Sequence, residues 1–197
     1  FAVVADRVNE LLENPNPVLL DRWLTIGQLD ATEWLTAGGG LWRQRAGRIT
    51  VAGKGEGFGG RSLCLVKGSL PSVPYEVGVQ VKLDNESGAA GLVVEADGED
   101  KHYGFYPSNG QLRFTRFDGP TVFTWNVIED IDVPEYREGD WNHLRVRVEK
   151  DGIRCYVNDL EVIVSSDQNL RGGRPGLVSF RGTEAAFRRF SCGDEVP

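Results

Sequence analysis

Apolar and polar residues alternate along much of the chain, most clearly in the run before Asp151-Gly152. There Leu144, Val146 and Val148 are apolar, and the residues between them are charged. A period of two places one set of side chains on the buried face of a β-strand and the other on its solvent face. The Asp-Gly pair then predicts a tight hairpin turn, because glycine accepts the positive φ that such turns require.

The same alternation recurs elsewhere, and it predicts the architecture. Ile153, Cys155 and Val157 mark a second strand, and residues 160–164 mark a third. Further strands are predicted at 41–51, 62–67, 74–83, 90–96, 101–106, 111–117, 122–127, 175–180 and 184–192. About twelve strands between tight turns indicate an all-β fold, a jelly-roll sandwich of two antiparallel sheets.

The N-terminal part of the chain has a different pattern. Apolar residues recur there at helical spacing, at Val4, Val8, Leu11 and Leu12. This spacing predicts a short amphipathic helix, which Pro15 and Pro17 would end. We therefore expect residues 1–35 to be a helical lead-in or linker and residues 36–197 to be the sandwich. We also expect the chain to be a piece of a larger multidomain protein.

Composition narrows the classes of function. The chain has 197 residues, 25 of them glycine, and a formal net charge of −7. An acidic protein is a poor partner for nucleic acid or for anionic membranes. No apolar run is long enough to insert across a bilayer.

Three cysteines cannot all pair with one another, so we expect buried free thiols at Cys64, Cys155 and Cys192, with one disulfide and one free thiol as the alternative.

Three stretches carry a resemblance to a known superfamily. They are Gly-Asp-Trp-Asn-His-Leu-Arg-Val at 139–146, Tyr-Val-Asn-Asp at 156–159 and Gly-Arg-Pro-Gly-Leu at 173–177. Together they resemble concanavalin A-like lectin/glucanase domains over the span from Trp42 to Cys192. Within that superfamily the chain is similar to laminin-G-like modules and to the 3-keto-disaccharide hydrolase family, whose Asn-Ser-Gly turn resembles Asn85-Glu86-Ser87-Gly88.

The resemblance implies one function and leaves two alternatives open. We expect a non-catalytic binding module for a glycan or glycoconjugate, part of a secreted, periplasmic or cell-envelope protein. The alternatives are a glycoside hydrolase of the 3-keto-disaccharide or glucanase kind and a structural protein-interaction domain. Where the hydrolase family often has an arginine after its Asn-Ser-Gly strand, this chain has Val94-Glu95.

A sandwich of this kind binds sugars on the outward side chains of one sheet, through aromatic rings and bidentate polar groups. The predicted central strands supply the candidates for these contacts. They are Glu95, Tyr103, Tyr106, Arg113, Arg116 and Trp125.

Acidic clusters supply candidates for catalysis and for a metal site. Retaining glucanases of this fold carry Glu-x-Asp-x-x-Glu on one strand, and residues 130–135 copy that spacing with Asp130, Asp132 and Glu135. These residues are weak catalytic candidates, and a solvated acidic loop is the simpler interpretation. The group Asp97, Glu99 and Asp100 is a weak candidate for calcium.

We expect no cofactor beyond such a structural calcium. One basic run remains near the C-terminus. Arg181, Arg188 and Arg189 are expected on a solvated sheet face, with an anionic sugar or a carboxylate as the alternative partner.

Overall fold

The computed structural model describes residues 26–196 and consists of two antiparallel sheets. The helix predicted near Val4 lies outside these residues. The strands are β1 Ile26–Gln28, β2 Trp34–Ala37, β3 Gly39–Arg45, β4 Arg48–Gly55, β5 Ser62–Val66, β6 Tyr75–Leu83, β7 Ala89–Ala96, β8 Lys101–Ser108, β9 Gln111–Asp118, β10 Trp125–Ile131, β11 Asn142–Val148, β12 Ile153–Val157, β13 Leu160–Ser165, β14 Arg174–Phe180 and β15 Ala185–Gly193.

The strand order confirms the predicted sandwich. One sheet has eight strands in the order β1-β3-β4-β15-β6-β11-β12-β13, and the other has seven in the order β10-β9-β8-β7-β14-β5-β2. Two short 3-10 turns, Phe58–Gly60 and Val122–Thr124, lie between strands. No helix among the described residues is long and apolar enough to cross a membrane.

The core between the sheets is built from the apolar sets that alternation predicted. Val77, Val79 and Val81 of β6 are at most 1% exposed, as are Leu144 and Val146 of β11. Burying a side chain of this size stabilises the fold by about 1.5–3 kcal/mol before the loss of chain entropy is counted.

The seven-stranded sheet also carries a second apolar cluster on its other face. On β7, Leu92 and Val94 belong to the core between the sheets, whereas Val93 belongs to the second cluster and is 0% exposed. Phe58 and Trp125 pack against this cluster. A strand buried on both faces has a nearly continuous apolar sequence, as residues 89–94 do.

Some strand boundaries differ from the sequence prediction. Residues 26–35, assigned to the helical lead-in, contain β1 and the first part of β2. Residues 41–51, predicted as one strand, form the hairpin β3–β4. It turns at Ala46-Gly47, where φ is 49° and 71°. The strand predicted at 122–127 begins at Trp125 and continues to Ile131.

All three cysteines are free thiols. Cys64 and Cys155 are buried, as expected, whereas Cys192 is exposed. Burial raises the pKa of the Cys155 thiol well above its ordinary value, so this side chain acts as a small apolar residue.

Candidate functional site

Glu95, a predicted ligand contact, is buried and accepts hydrogen bonds from two other parts of the chain. Its side chain is 3% exposed and its φ is 55°. One carboxylate oxygen accepts the Tyr75 hydroxyl at 3.1 Å, and the other accepts the Gly173 amide at 2.8 Å. The carboxylate therefore joins β6 to the loop before β14, and it is closed to solvent.

Tyr103 and Tyr106 are buried on opposite faces of the same sheet. Tyr103 is 0% exposed in the core between the sheets, and its hydroxyl donates to Asp167. Tyr106 is 3% exposed in the second cluster, and burial raises the pKa of its phenol to about 12. The expectation that these rings line an open groove is not met, because both faces of the seven-stranded sheet are covered. Their contact with a ligand stays a prediction that the geometry does not favour.

The other three predicted contacts lie near the β9–β10 edge of that sheet and have protein partners. Arg113 pairs with Asp130, and its guanidinium lies 5.8 Å from the centre of the Trp125 ring. Arg116 holds Asp118 at 2.9 Å. Trp125 packs against the second apolar cluster. All three side chains are partly buried, with 14% of the Arg113 side chain and 18% of the Arg116 side chain exposed.

The three candidate catalytic acids do not share a strand. β10 ends at Ile131, so Asp130 lies on the strand while Asp132 and Glu135 lie in the loop that follows. All three acids are exposed, and Asp130 is paired with Arg113. The arrangement of the glucanase signature, with its carboxylates along one strand, is therefore not formed.

The acidic side chains of Asp97 and Asp100 bind other groups of the protein. Asp97 accepts the amides of Glu99 at 2.8 Å and Lys101 at 3.1 Å, which closes the turn between β7 and β8. Asp100 pairs with the buried guanidinium of Arg61. Within residues 26–196, no three His, Cys, Asp or Glu side chains come together as a group that could hold a metal ion.

The open surface is the outward face of the eight-stranded sheet. Polar side chains line this face and are half-buried or exposed. They include Arg43, Arg45, Arg48, Thr50, Gln80, Lys82, His143, Arg145, Arg147, Arg154 and Tyr156. On the β3–β4 hairpin, the outward side chains of Arg43, Arg45 and Arg48 are exposed and can contact a ligand.

One half of the outward face neutralises its own charges. Glu76 accepts Arg145 at 2.9 Å and Arg147 at 3.1 Å, and Glu149 accepts Arg147 and Arg154, each at 3.1 Å. The hydrogen bonds from Arg154 and Arg147 lower the pKa of Glu149. Charges alternate in sign here, as expected for cross-strand neighbours.

The other half carries what we call the arginine row, a line of side chains in register across five strands. The row runs from β3 through β4, β15 and β6 to β11, as Arg45, Arg48, Arg188, Gln80 and His143. Three positive charges thus lie directly opposite one another. Among the described residues, no carboxylate forms an ion pair with Arg45 or Arg48.

Trp141 holds two of these arginines in place. The Arg188 guanidinium lies 4.1 Å from the centre of the indole ring, and that of Arg48 lies 5.5 Å from it. The Arg188 Nε also donates to the Gln80 side-chain oxygen at 2.7 Å. Cation–π contact with tryptophan contributes about 0.5–1 kcal/mol at an exposed site.

His143 ends the row as a mainly neutral group. Burial lowers the pKa of its imidazole below the ordinary value, and Arg145 and Arg189 lower it further. Asp159, 3.9 Å from Nδ1, opposes this shift. At neutral pH the ring can therefore donate one hydrogen bond and accept another.

A groove lies next to the row, at the outward positions two residues further along β3, β4 and β15. Its volume is about 320 Å³. The small side chains of Thr50, Ala52 and Ala186 line it, together with Arg43. The remaining lining residues are Leu41, Val51, Asp84, Glu184 and Ala185. We call it the sheet groove.

Sequence reasoning found one member of this surface and missed the rest. Arg188 was noted in the C-terminal basic run, with an anionic sugar as a possible partner. Arg43, Arg45 and Arg48 were not singled out, although arginines at alternate positions on either side of Ala46-Gly47 are a visible signal. The hairpin places Arg45 and Arg48 opposite each other.

Comparison with known proteins gives information about the fold of the chain. No family model matches the sequence, and no curated protein matches it. Among solved structures, the carbohydrate binding module CBM66 from Bacillus subtilis is similar, with a TM-score of 0.69 and 19% identity over 82% of this chain and 96% of that one.

Two further structures agree with it. A protein of unknown function with a galectin-like fold from Bacillus subtilis has a TM-score of 0.62 and 12% identity over 87% of this chain and 95% of that one. A functionally unknown protein from Saccharomyces cerevisiae has a TM-score of 0.59 and 16% identity over 86% of this chain and all of that one. The chain therefore has a galectin-like β-sandwich fold, which agrees with the jelly-roll sandwich that the sequence predicted.

Proposed function

We propose that the chain is a carbohydrate-binding module, and that its ligand lies on the outward face of the eight-stranded sheet. The observation that carries this proposal is the sheet groove. Small side chains in its lining leave room for a sugar ring, and the polar groups of the lining can reach hydroxyl groups. The likeness in fold to a carbohydrate binding module supports the class of ligand.

The groove offers the two kinds of contact that sugars require. Leu41 is 58% exposed and presents an apolar surface to the C–H groups of a ring. Arg43 can donate a bidentate pair of hydrogen bonds, and the carboxylates of Asp84 and Glu184 can accept from vicinal hydroxyls. We also propose that the module forms part of a larger secreted, periplasmic or envelope protein.

A glycan array followed by calorimetry on the hits tests the proposal. We expect Arg43→Ala to weaken binding of a hit about tenfold or more, since a hydrogen bond to a charged group is lost. Arg154→Ala is the matched control, because it removes an arginine from the same face outside the groove. Equal binding by the wild type and Arg43→Ala would exclude the groove. Absence of any sugar ligand would favour a protein-interaction domain instead.

A second candidate function, glycoside hydrolysis, is favoured by the two carboxyl groups of the groove. Asp84 and Glu184 line it together, just after β6 and just before β15, and the Asp84 amide donates to the Glu184 carbonyl at 3.1 Å. Glycosidases use such pairs as acid and base or nucleophile. Reducing-sugar release from an array hit, abolished in Glu184→Gln with binding retained, would establish hydrolysis. Binding without release would leave the module non-catalytic.

A further inference from the structure

We propose that the arginine row recognises the acidic groups of an anionic polysaccharide, so that the ligand of the sheet groove is an acidic rather than a neutral glycan. This inference rests on the proposed function, since it names the class of sugar for the same face. Its evidence is separate, because it comes from the charges of the row and not from the groove.

The pair Arg45 and Arg48 is unfavourable for the fold unless an anion lies beside it. Like charges directly opposite each other on neighbouring strands destabilise a sheet. Arg45 is opposite Arg48, and Arg48 is opposite Arg188, over about 5 Å between adjacent strands. A bound anion would remove the repulsion between these side chains.

The other half of the same face shows that carboxylates can be placed between arginines in this sheet. Glu76 lies between Arg145 and Arg147, and Glu149 lies between Arg147 and Arg154. Among residues 26–196, no carboxylate forms such pairs with Arg45, Arg48, Arg43 or Lys82. The contrast within one sheet face points to an external anion at the row.

The accumulation of positive charge is local. The chain as a whole has a formal net charge of −7, with 29 acidic residues against 22 lysines and arginines. Arg43, Arg45 and Arg48 are nevertheless all exposed on one hairpin. A general excess of positive charge does not explain this patch.

The row is also organised in advance for binding. Trp141 supports the guanidinium groups of Arg48 and Arg188, and Gln80 fixes the Arg188 Nε. Guanidinium groups with restricted rotamers lose less entropy when they pair with a carboxylate or a sulfate. Successive acidic groups along a sugar chain could therefore engage the row while a neighbouring ring occupies the groove.

Matched pairs of polysaccharides test the inference, with calorimetry on the whole chain. The probes are polygalacturonate against its fully methyl-esterified form, and dextran sulfate against dextran. We expect the wild type to bind at least one acidic member and to bind its neutral counterpart at least tenfold more weakly. We expect Arg45→Gln/Arg48→Gln to weaken acidic binding about tenfold, and raised salt to weaken it in the wild type.

Arg154→Gln/Arg171→Gln is the control, because it removes two exposed or half-exposed arginines from outside the row and lowers the net charge equally. Equal loss in both double variants, equal binding of acidic and neutral members, or equally tight binding of duplex DNA would overturn the inference. If a neutral glycan binds in the groove and no acidic one does, the carbohydrate-binding function stands and the inference fails. If no polysaccharide binds, both fail.

Discussion

Two tyrosine hydroxyls donate to glutamates in contrasting surroundings, and their comparison isolates the effect of burial. The Tyr75 hydroxyl donates to Glu95 at 3.1 Å, with both residues at most 3% exposed. The Tyr156 hydroxyl donates to Glu161 at 2.8 Å on the outward face, where the Glu161 side chain is 39% exposed. The same substitution, Tyr to Phe, therefore removes the same kind of hydrogen bond at two depths.

The structure predicts different costs for the two substitutions. In Tyr75→Phe, one oxygen of the buried Glu95 carboxylate loses its tyrosine partner with no water to replace it. Loss of a hydrogen bond to a charged group costs about 1.5–3 kcal/mol. For a chain of this length, about 2 kcal/mol corresponds to a fall in Tm of roughly 4–8 °C. In Tyr156→Phe, water replaces the hydroxyl, and we expect a Tm within experimental error of the wild type.

Guanidinium unfolding and calorimetry measure both effects. We expect the Tyr75→Phe midpoint to shift with an unchanged m-value, which would mark a change in stability rather than in the unfolded state. Equal midpoints for Tyr75→Phe and the wild type would refute the conclusion that the hydrogen bond from Tyr75 to Glu95 stabilises the fold. A loss in Tyr156→Phe as large as that in Tyr75→Phe would refute the argument from burial.

Two further predictions concern a buried imidazole and a close backbone contact. Burial, assisted by Arg61, lowers the pKa of His102 from 6.5 to about 3. The unfolded state therefore binds more protons below pH 6.5, and stability falls as pH decreases toward 3. Between pH 7 and pH 4.5 this histidine alone costs about 2.5 kcal/mol, and pH-dependent unfolding of His102→Phe should lack that loss. A Cβ at Gly91 would lie 2.4 Å from the Phe105 carbonyl oxygen, whereas one at Gly68 would meet nothing within 4 Å. Gly91→Ala should lower Tm by several degrees and Gly68→Ala should leave it unchanged or slightly raised, and a tolerated Gly91→Ala would contradict the close approach of β7 and β8.

Alternation was enough to predict the sandwich because each sheet buries one face in the shared core. On β6 and β11, every second residue is apolar, and these residues are the ones that meet between the sheets. The pattern failed where strands are short. Ile26–Gln28 and Trp34–Ala37 have too few residues for a period to be visible. Their pairing partners, β3 and β5, determine their structure.

The site was harder to predict because alternation does not say which outward face is open. Candidates were taken from β7–β10, where aromatic residues are dense. Aromatic residues were dense there because that sheet is buried on both sides. The continuous apolar run at 89–94 was the available signal for this. The hairpin turn at Ala46-Gly47 was missed because alanine rarely adopts the φ of 49° that Ala46 has there. Without the turn, the register that aligns Arg45 with Arg48 could not be predicted.

The unequal burial of the two sheets has a consequence for protein engineering. Substitutions in the seven-stranded sheet act on packing whichever way the side chain points, so few of its positions are free to vary. On the β3–β4 hairpin of the eight-stranded sheet, the exposed alternate positions can be randomised while the residues between them keep the fold intact. A combinatorial library confined to Arg43, Arg45, Thr50, Ala52 and Ala186 would therefore sample new specificities on a scaffold whose thermal tolerance stays nearly constant.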